Sequence, residues 1–232
     1  QYPGECGGGL MAVFVCPGII SSPSFPATFA DATWEQIIDA CHQNAVPDTW
    51  VADGTCYKDM EINGTNYRID IIGKNHDTYA DGETAPLTFQ LHDSYNSRYP
   101  MITSGSQNYW VTCIMRTTHL PSILTLMPAE VQQGILEVQK LTSAGNLSSS
   151  IQTTSEKLFL LSEVEISGSI TTSYSGEGSI YDYYQVGNSK IKKVGASAMW
   201  WWTRSPSNTA NIRFCAVLAD GNADWGNGTN SG

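Results

Sequence analysis

Two glutamates, Glu163 and Glu165, directly follow the apolar run at residues 157–162. If that run is a buried strand that continues through them, residues two apart project to the same face. Two carboxyl groups on one face could serve general acid–base chemistry of the glycosidase type. The sequence favours a plainer role, in which the glutamates cap an element or pair with a basic residue such as Arg116 or Arg204.

Other residue types that could do chemistry lack a recognisable context. The chain has no Gly-x-Ser-x-Gly elbow, no papain-like cysteine motif and no phosphate-binding glycine motif. Segment 75–83 offers oxygen ligands and a histidine, but Asp77 and Asp81 are four apart and miss the alternate spacing of a calcium loop. We therefore expect a surface turn there, with no metal, no cofactor and no enzymatic activity.

The composition excludes some classes of partner. The net charge is −10 and only 12 residues are basic, which argues against a nucleic-acid surface because such surfaces cluster Lys and Arg. The apolar run at residues 10–16 is far too short to cross a bilayer. We expect neither nucleic-acid binding nor membrane insertion.

The six cysteines show no zinc-site spacing. Cys113 and Cys215 lie inside apolar segments, where a free thiol packs as a small hydrophobe. Spacing alone does not set disulfide connectivity, so two pairings stay open, Cys6–Cys16 and Cys41–Cys56.

A chain of 232 residues suits one large domain with an arm. Residues 1–32 read as the arm, because glycines and prolines flank a short apolar strand. Residues 33–232 form the domain, which begins with a helix that Thr33 caps. Asn63-Gly64 predicts a β-hairpin, and residues 87–91 predict a strand.

The middle of the chain alternates apolar and polar stretches. Pro128 marks the first turn of a helix that carries Val131, Ile135 and Val138 on one face. We further expect a strand or buried segment at 109–115 and a helical region from 115. A polar loop at 143–154 and a buried strand at 157–162 should follow. The long Gly-, Ser- and Tyr-rich stretch at 167–195 should be an ordered excursion from the domain and not a linker. Together these elements predict an α+β fold, with two helices, short mixed or antiparallel strands and long irregular loops.

The C-terminal stretch combines a rigid base with polar loops. Trp200, Trp201 and Trp202 put large aromatics on both faces of a strand that ends at Pro206, so both faces must be covered. A second apolar strand follows at 214–219. Five asparagines (208, 211, 222, 227 and 230) in the flanking segments exceed what turns require. This pattern is typical of a binding surface on a fixed scaffold.

Several of these motifs together resemble a known family. Phe-Leu-Leu-Ser-Glu-Val-Glu-Ile at 159–166, Trp-Trp-Thr-Arg-Ser-Pro at 201–206 and Phe-Cys-Ala-Val at 214–217 are the most specific. Over roughly residues 58–232 the chain resembles bacterial and phage domains of C-type-lectin fold. They belong to the branch similar to formylglycine-generating enzyme, which includes the variable proteins of diversity-generating retroelements.

The resemblance implies a C-type-lectin-like scaffold whose C-terminal loops vary at adenine-rich asparagine codons. Of the cysteine pair that the oxidase branch uses in its C-terminal region only Cys215 is present, so that activity is not expected. The sequence also lacks the family's usual closing strand after the variable loops, so that strand is expected to be missing, cut off or supplied otherwise. The candidate ligand contacts are Asn208, Thr209, Asn211, Arg213, Asn222, Asp224, Trp225, Asn227, Thr229 and Asn230.

On this reading the partner is a host-surface protein or a glycan. The domain would be the tip of a phage receptor-binding protein or a bacterial surface adhesin. It would therefore lie outside the cell, on a virion or at the cell surface. It would act as a homo-oligomer or as part of a larger assembly. One alternative is a carbohydrate-active or oxidase-type enzyme that uses Glu163, Glu165 or Cys215. Another is a structural virion protein whose residues 1–32 drive assembly.

Overall fold

The computed structural model describes residues 24–231, and these residues mix short helices with antiparallel strands. The predicted α+β class is confirmed. The predicted number of two helices is wrong, because the described residues form five α-helices: α1 (Trp34–His42), α2 (Leu120–Leu124), α3 (Ala129–Gly134), α4 (Glu163–Ser167) and α5 (Asp182–Gln185). A 3₁₀ turn (Trp110–Thr112) and a π-helical segment (Met115–His119) precede α2.

The strands of the described residues form four small antiparallel sheets. Two sheets have three strands, in the orders β1-β2-β3 and β10-β9-β8, and two are hairpins, β4-β5 and β6-β7. The strands are β1 (Tyr57–Ile62), β2 (Thr65–Lys74), β3 (Leu87–Leu91), β4 (Val138–Gly145), β5 (Ser148–Glu156), β6 (Lys192–Val194), β7 (Ser197–Met199), β8 (Trp201–Pro206), β9 (Arg213–Val217) and β10 (Ala223–Asn227).

Helix α1 begins where the sequence predicts. The Thr33 hydroxyl accepts a hydrogen bond from the backbone N–H of Gln36, and the Gln36 side chain accepts one from the backbone N–H of Thr33. This capping box satisfies two N–H groups that a helix start leaves without partners. Ile37 and Ala40 lie on the buried face, so α1 is held by its apolar stripe.

The β1–β2 hairpin is also confirmed. Asn63 and Gly64 have φ angles of 50° and 74°, the left-handed conformation that a two-residue hairpin turn requires at both central positions. The turn sets the register, in which Ile62 pairs with Thr65 and Met60 with Tyr67.

The prediction of a polar loop at residues 143–154 is wrong, because β4 and β5 pair throughout this stretch. The turn between them uses Asn146 and Leu147, with φ angles of 52° and 62°. The buried positions of β4 include polar side chains such as Lys140 and Thr142 instead of a run of apolar ones. The alternation of apolar and polar residues that marks a strand is therefore absent from this stretch, so the sequence did not indicate β4 and β5.

The buried strand expected at residues 157–162 is wrong as well, since this stretch forms no regular element. Ser162 caps α4, with its hydroxyl accepting from the backbone N–H of Glu165 and Glu165 accepting from the N–H of Ser162. Glu163 and Glu165 therefore lie in the first turn of a helix and not on one face of a strand. The Ser-x-x-Glu spacing is the capping-box signature that indicates this outcome.

The region before β4 follows the prediction in outline. Trp110 and Cys113 are buried within the expected segment, in a 3₁₀ turn and its end, and helical structure follows from Met115. Helix α3 begins just after Pro128, but it ends at Gly134, so Val138 belongs to β4 and not to the helix face. None of the described helices is both long and apolar enough to cross a membrane.

Residues 167–195 are an ordered excursion, as predicted. They include α5 and contribute buried aromatic rings to the core at Tyr181, Tyr183 and Tyr184.

Strand β8 confirms the expectation that its tryptophans are covered on both faces. Trp202 packs with Trp110 and Phe214 in one apolar cluster. Trp201 packs against another cluster, which contains Tyr181 and Val217. The second predicted strand is β9, in the centre of the C-terminal sheet. Residues 223–227, expected in a loop, instead form the edge strand β10.

The described end of the predicted arm lies against the domain. Phe25 and Phe29 contact the ring of Trp50, with centroid distances of 6.4 and 5.9 Å, and Phe29 is fully buried. Cys41 and Cys56 are free thiols, so the pairing left open for them is not formed. The strand expected at residues 10–16 and the pairing Cys6–Cys16 lie outside the described residues.

Candidate functional site

A fully buried guanidinium, that of Arg204 on β8, holds the base of the C-terminal sheet in place. Its Nη1 and Nη2 donate to the two carboxylate oxygens of Glu165 at 2.5 and 2.9 Å, and its Nε donates to the hydroxyl of Thr142 at 2.9 Å. Nη1 also donates to the backbone carbonyl of Leu160, and the second N–H of Nη2 is shared between the carbonyls of Leu141 and Glu177. A planar guanidinium satisfied this fully fixes the elements around it, because each bond constrains both position and orientation.

The network continues through a second buried cation. Lys140 lies 2.6 Å from Glu165 and 2.7 Å from Asp77, and it donates to the hydroxyl of Tyr181 at 3.0 Å. Burial alone would raise the pKa of Glu165, but the charges of Arg204 and Lys140 lower it to about 2. The pairing of Glu165 with Arg204 that the sequence favoured is confirmed. Asp77 lies in this network, 5% exposed, and not on a surface turn.

The residues of the enzyme alternative are all buried. Glu163 accepts hydrogen bonds from the backbone N–H groups of Thr171, Thr172 and Ser173. Cys215 is fully buried, and burial raises the pKa of its thiol, which lies 3.9 Å from Glu163. A buried thiol that stays protonated is a poor nucleophile. In this geometry Glu163, Glu165 and Cys215 make their contacts with other groups of the domain interior.

Side chains that could bind a metal ion do not cluster in the described part of the chain. Residues 24–231 contain no group of three or more His, Cys, Asp and Glu side chains that could hold a metal ion.

The ten predicted contact residues lie at two ends of the C-terminal sheet and along its edge. Because Asn227 pairs with Arg213, the β8–β9 loop and the segment after β10 meet at one end. We call this end the C-terminal surface; it carries Asn208, Thr209, Asn211, Arg213, Asn227, Thr229 and Asn230. Asn222 lies at the opposite end, in the β9–β10 connection, and Asp224 and Trp225 lie along the edge strand β10.

Arg213 and Trp225 form the most prominent contact beside the C-terminal surface. The guanidinium lies 3.2 Å from the centroid of the indole ring, which is 37% exposed. Within residues 24–231 Arg213 has no ion-pair partner. A stacked guanidinium keeps its outward N–H groups free, so the pair offers both an apolar face and hydrogen-bond donors.

The asparagines divide into two groups by their contacts. Asn208 donates to the backbone carbonyl of Ser173 at 2.9 Å, Asn222 donates to Asp220, and Asn227 accepts from Thr229. These three side chains serve turns and loop anchoring. The amides of Asn211 and Asn230 make no hydrogen bond to another described residue, so they are free for a ligand.

Two features beside the C-terminal surface were missed by the sequence prediction. A shallow cleft of about 380 Å³ joins residues 104–107 to Asn211, Ile212, Asn227 and Thr229. Asn108 is fully buried, and its amide donates to the carbonyls of Ala210 and Arg213 at 3.2 and 2.7 Å. These partners lie 102 and 105 residues away in sequence, so no local pattern indicates the contact.

The geometry defines an α+β domain in which a buried ion-pair network supports a polar sheet end. A family model described as a domain of unknown function, DUF6273, matches residues 88–232. Because this match spans more than half of the sequence, the chain belongs to that family. All ten predicted contact residues lie within the matched part. Comparisons with the curated proteins and with the solved structures found no match.

Proposed function

We propose that this chain is a non-catalytic ligand-binding domain of C-type-lectin-like fold, related to the variable proteins of diversity-generating retroelements. Its ligand is a protein or glycan on a host surface, bound at the C-terminal surface and the adjoining Trp225. In this proposal the domain acts outside the cell, at a phage tip or on a bacterial surface.

The observation that carries the proposal is the stack of the half-buried Arg213 on the exposed Trp225, beside free amides on a fixed base. Exposed Trp and Arg are the side chains that dominate binding energy in recognition surfaces. The guanidinium lies 3.2 Å from the indole centroid without an ion-pair partner in the described residues, so its charge is available. The unbonded amides of Asn211 and Asn230 add adaptable hydrogen bonding.

The base beneath this surface is suited to displaying different side chains. Arg204 and Asn108 are both fully buried and bonded to neighbouring elements. Loops on such a rigid scaffold can change without loss of the fold.

A glycan array probed with the labelled full chain tests the binding. We expect Trp225→Ala and Arg213→Ala each to weaken any array signal by roughly thirtyfold, the effect of removing a dominant contact. Tyr57→Ala is the matched control, because Tyr57 is also exposed and stacks on a guanidinium, that of Arg68 at 3.9 Å. Equal losses from Tyr57→Ala and Trp225→Ala would overturn the proposed site.

Sequencing the 3′ end of this gene across its native population tests the relation to variable proteins. We expect substitutions to concentrate at adenines in the codons of residues 207–231 and to spare residues 200–206. If residues 207–231 prove invariant, diversification is refuted. The array then still tests whether this surface binds a fixed ligand.

A further inference from the structure

A large apolar cavity lies between α1, β3, residues 157–161 and the tryptophans of β8. Its volume is about 420 Å³, whereas close-packed cores leave few voids larger than a water molecule. The volume falls in the range of small-molecule sites, which are also mainly apolar. None of the ten C-terminal contact residues lines it. The apolar walls include Met60, Ile69, Leu120, Phe159, Trp200 and Trp202.

The charged side chains that line the cavity are mostly cationic, against the balance of the whole chain. Arg98, Lys157 and Lys192 line it together with a single acid, Asp93. The chain as a whole has 22 acidic and only 12 basic residues. Three of the basic residues and one of the acidic ones are thus gathered here. The electrostatics of the cavity favour an anionic group.

Of the three cations that line the cavity, Lys192 is the buried one. It is 4% exposed, and its ammonium donates to the backbone carbonyls of Leu91 and His92, both at 2.7 Å. No carboxylate of the described residues lies within ion-pair distance of it. A buried ammonium with only neutral acceptors is costly, and its third N–H is not used.

Ser94 adds a second polar atom without a partner. Its hydroxyl is buried, makes no hydrogen bond and belongs to a residue that lines the same cavity. The Ser94 backbone N–H donates to the carbonyl of Lys193 at 3.0 Å, which places Ser94 beside β6 and Lys192. Buried hydroxyls normally have a partner, so an unpaired one on a residue that lines a cavity can donate to a bound ligand. Asp93, which accepts from the Lys193 N–H at 2.9 Å through its Oδ1, makes no hydrogen bond to this hydroxyl.

We infer that this cavity binds a carboxylate with an apolar chain. The carboxylate accepts hydrogen bonds from the Lys192 ammonium and the Ser94 hydroxyl, and the chain lies along the apolar walls. Arg98 and Lys157 are exposed at the rim, where they attract the anion before it enters. This site is independent of the C-terminal surface and of the function proposed for it.

Calorimetric titration of the full chain with decanoate, compared with the uncharged decanol, tests the inference. We expect decanoate to bind more tightly than decanol. Lys192→Met keeps the length of the side chain and removes its charge, so it should weaken decanoate binding roughly ten- to hundredfold, as for other charged hydrogen bonds. Decanol binding should not change. Lys193→Met is the control, because this neighbouring lysine is exposed and does not line the cavity.

Three results would overturn the inference: no decanoate binding, equal affinities for decanoate and decanol, or equal effects of the two lysine variants. If Lys192→Met also loses decanol, the cavity has changed shape and Ser94→Ala decides. Weaker decanoate binding with unchanged decanol binding in Ser94→Ala supports the carboxylate site. Unchanged affinity for both ligands in Ser94→Ala would refute it.

Discussion

Glu165 and Glu177 are two buried acids near the same guanidinium whose pKa values move in opposite directions. Glu165 forms ion pairs with Arg204 and Lys140, which outweigh its burial. For Glu177 burial dominates and raises the pKa to about 7, although it accepts hydrogen bonds from the Ser205 hydroxyl and the Ser143 N–H. Direct pairing with a cation, rather than depth of burial, separates the two residues.

The raised pKa of Glu177 predicts a pH dependence of stability. Between pH 4.5 and about 7 the unfolded chain loses this proton while the folded chain keeps it, so folding stability falls as the pH rises. Glu177→Gln removes this titration and can still accept from Ser143. Over that interval we expect the variant to gain on the order of 3 kcal/mol in unfolding free energy relative to wild type.

Urea denaturation of both proteins across this pH range measures the effect. Glu61→Gln is the control, since Glu61 is exposed and its replacement should not change the pH profile. Parallel stability profiles for wild type and Glu177→Gln would show that Glu177 is ionised in the folded protein throughout.

At the scale of elements, the features that the sequence predicted correctly are those that a few neighbouring residues determine. Thr33 with Gln36 and Asn63 with Gly64 are complete within four residues, and both features form as expected. The hairpin β4–β5 could not be predicted this way. Its inward-facing Lys140 and Thr142 find charged and polar partners on distant elements, so its buried face is not apolar.

Two glycines, Gly64 in the β1–β2 turn and Gly145 at the end of β4, show the difference between backbone strain and close packing. Both Gly64 and Gly145 have left-handed φ angles, 74° and 80°. A Cβ at Gly64 would meet nothing, whereas one at Gly145 would lie 2.4 Å from the carbonyl oxygen of Asn108. We expect Gly64→Ala to destabilise the fold by about 1–2 kcal/mol. Gly145→Ala should cost about 1–3 kcal/mol more, because backbone must shift.

Chemical denaturation of the two alanine variants provides the comparison. Similar losses of unfolding free energy would contradict the expected crowding between the β4–β5 hairpin and Asn108.

At the scale of the whole molecule, composition located part of the candidate site. The asparagine-rich ends of β9 and β10 meet as the C-terminal surface. Residues 104–107 and Asn108 complete it only through tertiary structure. Because their contacts cross about half of the chain, sequence composition carries no sign of them.

The part of the chain that matches the family does not contain a complete core. Asp70 on β2 contacts the Tyr183 hydroxyl at 3.1 Å and His92 at 2.6 Å, and Asp77 pairs with Lys140. We therefore expect a fragment of residues 88–232 to lack a cooperative unfolding transition. It would leave Lys140 without one of its counter-ions and part of the core exposed.

Circular dichroism with increasing urea compares this fragment with the full chain. A sigmoidal transition at the same urea concentration in both would show that residues 1–87 add no stability to the family domain.

The hydrogen bonds of Asn108 to the β8–β9 loop have an evolutionary consequence. In this loop and at the start of β9, Asn108 forms hydrogen bonds with the backbone carbonyls of Ala210, Asn211 and Arg213. A main-chain oxygen is present whichever side chain a codon specifies. Substitutions at Ala210, Asn211 and Arg213 therefore leave the backbone acceptors of Asn108 in place.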